Sequence, residues 1–142
     1  MALVTQVSVR ISKDDGSVSS VTKALGEAGV DIRGFSVSDS PEHGVVRLIV
    51  DKPDVACAAL ARAGMTPCAT PVVVVVLPDV PGGLAGVLKA VAEAGVSIEY
   101  VYSLLSTNVV LNVASPEVAE ERLAGSSVRL VTIDEIGPAT TS

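Results

Sequence analysis

Near the start of the chain Val7, Val9 and Ile11 alternate with Ser8 and Arg10, a two-residue period that predicts a half-buried strand. The period then changes. Val18, Val21, Leu25 and Ala28 recur at helical spacing, and Leu84, Val87, Leu88, Val91 and Ala94 do so again further on. Gly29 and Gly95 follow these two stretches, where a helix end favours a left-handed residue. Strands are expected next over 30–38 and 96–105, then over 45–50 and 109–114. Pro53 and Pro116 each open a second helix at the position where proline's missing N–H costs nothing, with Ser115 expected as an N-cap. Val128, Leu130, Val131 and Ile133 alternate more loosely and predict a last strand over 128–133. Its counterpart is short, confined to 65–70 between Pro67 and Pro71. The run from Val72 to Leu77 is uniformly apolar, as in a strand covered on both faces.

These patterns repeat. Displacing the chain by 66 residues lays 21–32 (VTKALGEAGVDI) on 87–98 (VLKAVAEAGVSI), with 8 of 12 positions identical. At a displacement of 63, Pro53, Val55 and Ala56 meet Pro116, Val118 and Ala119, so the middle of the second copy is shorter. An internal repeat decides the fold before any single motif does. The order is β-α-β-β-α-β twice: an α+β chain of two ferredoxin-like units, residues 1–69 and 70–142, each an antiparallel sheet with helices on one face. Units of about 70 residues bury little core alone, so packing side by side is expected.

Composition narrows the picture. Of 142 residues 49% are apolar, yet Phe35, Tyr100 and Tyr102 are the only aromatic side chains, so the core is aliphatic. A membrane-spanning helix needs about 20 apolar residues, far more than the run before Pro78 offers. The first residues lack a basic segment ahead of an apolar stretch and cleavage site, and Cys57 and Cys68 form no CxxC pair, so the expected location is the cytoplasm. The net charge is −6. With no cluster of lysine or arginine, and without a basic sheet bearing stacking aromatics, nucleic acid is an unsuitable partner.

Catalytic chemistry finds few residues. His43, the single histidine, lies in the turn sequence of Ser40, Pro41, Glu42 and Gly44. One histidine and two scattered cysteines make no metal set, and neither a P-loop nor a nucleophile elbow is present. Glu117, Glu120 and Glu121 read as the wet face of a helix. No enzyme, cofactor or metal is expected. The informative stretch is Asp79, Val80, Pro81, Gly82, Gly83 and Leu84, between the first strand and first helix of repeat two. Glycines there leave backbone donors uncovered at a helix N-terminus, which favours a carboxylate, and Asp79 offers a partner for an ammonium group. Together these are the needs of a free amino acid. The plain alternative is a tight turn shaped by glycine and proline.

This repeated unit, with DVPGGL ahead of the helix and AEAGVSIEY entering the next strand, resembles the ACT domain family of small-molecule regulatory modules, and in particular its short tandem members without a catalytic domain. The resemblance implies a non-catalytic regulatory module whose free amino acid ligand lies between the loop of one unit and the second strand of a neighbour. It implies pairwise association, with a homodimer expected, and control of a metabolic enzyme. Carried onto this sequence, the site residues are Asp79, Val80, Pro81, Gly82, Gly83 and Leu84, with Asp31, Ser97, Ile98 and Tyr100 at the second strands. In repeat one the loop positions are Lys13, Asp14, Asp15, Gly16, Ser17 and Val18, which lack the proline and one glycine. The intact loop facing Asp31 is therefore the expected site. The degenerate loop favours the alternative of a ligand-independent interaction subunit of a metabolic enzyme.

Overall fold

In the computed structural model, which describes residues 3–11, 18–39 and 44–136, the chain runs β1 (Leu3–Ile11), α1 (Val18–Glu27), β2 (Ile32–Asp39), β3 (Gly44–Val50), α2 (Pro53–Arg62), β4 (Pro67–Val76), α3 (Gly83–Glu93), β5 (Ile98–Ser103), β6 (Asn108–Val113), α4 (Pro116–Ala124) and α5 (Ile133–Ile136). The six strands and five helices build an α+β fold in which every described strand pairing is antiparallel. Two compact units emerge. Thr5–Thr70 form one, and Pro71–Ile136 with Leu3 and Val4 form the other.

In the first unit β3 sits between β2 and β1, with Val7 opposite Leu48 and Val9 opposite Val46. The alternation seen in the sequence turns Val7, Val9, Val46, Leu48 and Val50 onto one face, where Val21 and Leu25 of α1 and Ala56 and Leu60 of α2 close the core. Ser8 and Arg10 take the other face. Gln6 is buried there, and its amide donates to Thr70 Oγ1 at 3.4 Å.

The second unit repeats the plan with β6 between β4 and β5. Val73, Val75, Val109, Leu111 and Val113 meet Val87 and Val91 of α3 and Ala119 and Leu123 of α4. Val72 and Val74 alternate onto the opposite face and are also fully buried, so this strand is covered on both sides as its uniform apolar run predicts.

Two strands differ from expectation. The segments expected at 65–70 and 72–77 are one continuous strand, β4, so Pro67 and Pro71 do not punctuate it. Pro67 is its first residue, a position that requires no N–H. The last strand expected over 128–133 shrinks to a bridge between Leu130 and Val75, held by Val76 N–H on Arg129 O (3.0 Å) and Val131 N–H on Val74 O (2.8 Å). Ile133 instead starts α5. Local capping accompanies the change: Glu135 Oε1 accepts from the N–H and hydroxyl of Thr132, both at 3.3 Å, which is one half of a capping box. The short 129–131 segment still lies beside β4, which completes the ferredoxin-like strand order within this unit.

Candidate functional site

The loop from β4 to α3 is shaped by two glycines with different duties. Gly82 has φ +82°, a left-handed conformation that side chains resist. Gly83 is buried, and a Cβ there would collide with the carbonyl oxygen of Pro78, so the backbone folds onto itself too closely for any other residue. Its N–H donates to Val80 O at 2.9 Å, closing the turn, and Gly86 N–H reaches Gly82 O at 2.9 Å as the first bond of the helix. The first-turn donors left over are those of Leu84 and Ala85, because Gly82 supplies no side-chain cap.

Beside this turn lies a cavity of about 410 Å³ within the second unit, in the size range of small-molecule sites. Pro78 and Val80–Gly83 form one wall, α3 contributes Gly86, Val87 and Ala90, and Val76 with Ser127–Arg129 complete it. Arg129 Nη2 donates to Glu135 Oε2 at 2.8 Å, which ties this wall to α5. The contribution of 127–129 was not anticipated. The signal was present, since the ferredoxin-like order places the last strand beside the first.

The other expected site residues do not line this cavity. Asp79 and Leu84 are exposed next to the cavity without lining it. Ser97 lines a different hollow of about 240 Å³, where Arg122 Nη1 donates to Gly95 O at 3.0 Å. Ile98 packs against the core. A bulge between Ile98 and Tyr100 then reverses the alternation, and Tyr100 stacks on Tyr102 with ring centroids 6.3 Å apart and planes 14° from parallel. The same bulge falls between Ile32 and Gly34 of the first unit. Asp31, ahead of it, holds the buried Arg33 through Oδ2 at 3.2 Å, and its N–H donates to Asp51 Oδ1 at 2.9 Å. Lys13 to Ser17 and His43 lie outside the described residues. Among the described residues no cluster of three metal-binding side chains occurs, and no helix is long and apolar enough to cross a membrane.

Two ferredoxin-like units, the second with a glycine loop beside a ligand-sized cavity, make a tandem α+β module. The chain belongs to the ACT domain pair family, whose model matches residues 1–133. Protein BT0572 from Bacteroides thetaiotaomicron is similar in structure, with a TM-score of 0.86 and 29% identity over 95% of this chain and 96% of that one. The ligand-free regulatory subunit of aspartate kinase from Thermus thermophilus shares the fold at a TM-score of 0.63 and 24% identity, covering 86% of this chain and 90% of that one. Its counterpart from Thermus flavus does so at 0.54 and 20%, covering 84% and 90%. Among curated proteins nothing matches the sequence significantly. Family membership supports a regulatory role.

Proposed function

We propose that this protein is a cytoplasmic, non-catalytic regulator that binds a free amino acid at the loop cavity of its second unit and converts binding into a change of association. The observation that carries the reading is the cavity beside the glycine loop, with the unbonded N–H groups of Leu84 and Ala85 at the start of α3. A ligand carboxylate is stabilised by those donors and the positive end of the helix. Asp79, exposed next to the loop, is the proposed partner of the ammonium group. A ligand shifts an equilibrium between assemblies only through different affinities for them, so the regulated states are those that expose or complete this loop. A homodimer and a metabolic enzyme are the proposed partners.

Titration calorimetry with each of the twenty amino acids tests this. At least one is expected to bind, and Asp79→Ala is expected to weaken it about tenfold, the loss of one charged contact. Binding of none of them to the wild-type protein sinks the reading.

A second reading, a ligand-independent interaction subunit, is favoured by the first unit. Phe35 and Val37 are 54% and 44% exposed on β2, an outer strand of that unit, where unpaired backbone groups and apolar side chains invite a partner. A pull-down that recovers the same enzyme with and without added amino acids supports this reading over the first.

A further inference from the structure

The walls of the loop cavity say which amino acids fit it. Val76, Val80, Val87, Ala90 and Val128 are apolar, and no aspartate or glutamate lines it. Its one charged side chain, Arg129, is already held by Glu135. A basic ligand side chain finds no counter-charge here, and an acidic one must compete for an arginine in use. An unpaired charge against such walls is strongly disfavoured, whereas an aliphatic group gains by leaving water.

Gly86 is the unusual wall residue. It lies inside α3 with an ordinary φ, and a Cβ placed on it meets nothing within 4 Å. Neither backbone conformation nor packing requires glycine there, although glycine inside a helix is less stable than alanine. Its missing side chain leaves that stretch of the cavity wall bare. The corresponding position of the first repeat is Ser20.

The first unit sharpens the point. It has a cavity of about 570 Å³ that overlaps the corresponding place only at Arg10 and residues 64–66, and that is lined by Val9, Val45 and Met65 as well as Ser8, Arg10 and Thr66. Arg10 corresponds to Val76, and Thr66 to Arg129. The first-unit hollow thus mixes polar side chains and an arginine with Val9, Val45 and Met65, whereas the second-unit cavity is mainly aliphatic.

Resting on the reading above, we infer that the second-unit cavity receives the side chain of an aliphatic amino acid, once per chain, and that Gly86 is the residue that sets its depth. Calorimetry of the wild type against the twenty amino acids singly is expected to select among valine, leucine, isoleucine and methionine, with one equivalent per chain. Gly86→Leu is expected to raise Tm by a few degrees while weakening the bound amino acid at least about tenfold, as a filled apolar pocket does. Gly86→Ala is expected to raise Tm and leave affinity within about threefold. Wild-type affinity in a folded Gly86→Leu protein overturns the inference and leaves the proposed function standing, as does selection of aspartate, glutamate, lysine or arginine. Binding of no amino acid by the wild type overturns both.

Discussion

Gly83 shows how one residue commits a loop to its shape. Because Pro78's carbonyl occupies the space a Cβ needs, Gly83→Ala must push the turn open, and the cost is expected to be about 2 kcal/mol. Urea unfolding reads this as a lower midpoint with an unchanged slope. The glycine pair was legible as a turn in the sequence, but the reason for the second glycine was not, since it lies in a contact five residues back. Cys57 is a different case of environment overriding residue type. Packed against the first core, it has its thiol pushed above the ordinary value by burial first, and then by the negative charges of Asp54 and of Cys68 as a thiolate. Cys68 is exposed. In a time course of iodoacetamide labelling read by peptide mass, Cys68 is expected to react first, with Cys57 following only at higher pH because the thiolate is the reacting form. The sign for stability follows: a folded state that retains the Cys57 proton more tightly holds that advantage below the unfolded thiol's pKa and loses it as pH rises through the folded value. Cys57→Ser is expected to flatten that alkaline decline.

At the scale of elements, helix ends were the most legible features and strand ends the least. Gly29 and Gly95 do adopt φ +74° and +75°, and Val30 and Val96 return N–H bonds to Leu25 and Val91, the wrap-around ending that their sequence context predicts. Pro53 and Pro116 stand at the first helical positions, again as expected. Ser115 departs from expectation, because it sits at the N-cap without a side-chain hydrogen bond. Ser115→Ala is therefore expected to cost under about 0.5 kcal/mol, against the typical value near 1 kcal/mol for a serine that caps. Thermal denaturation of the single variant decides the matter. Strands are harder because pairing is non-local: the apolar run of β4 and the prolines within it read equally well as two short strands or one long one. The end of 128–133 carries a local signal in Thr132 and Glu135, three residues apart and available to a reader who weighed capping against alternation.

For the whole molecule, duplication was plain from the 66-residue offset, as was the departure of the repeat-one loop from its copy, while the lining of each unit's cavity needed coordinates. Both copies keep the bulge that follows Ile32 and Ile98, and the positions beyond it carry Gly34 and Ser36 in one unit and Tyr100 and Tyr102 in the other. The arginines that line a cavity in each unit, Arg10 and Arg129, come from different segments of the plan, and their repeat counterparts are Val76 and Thr66. β4 contributes residues to both units, Pro67–Thr70 to the first and Pro71–Val76 to the second. The units are thus joined inside one strand rather than by a linker, and a single unfolding transition is expected. The tyrosine pair supplies the means to see it. Without tryptophan anywhere in the chain, emission excited at wavelengths that phenylalanine does not absorb comes from two stacked phenols in residues 71–136, while far-ultraviolet dichroism reports every helix and strand. Coincident fluorescence and dichroism curves establish shared cooperativity. An emission change at lower urea than the dichroism change reports the second unit melting alone, so the protein carries its own unit-specific optical probe with no label attached.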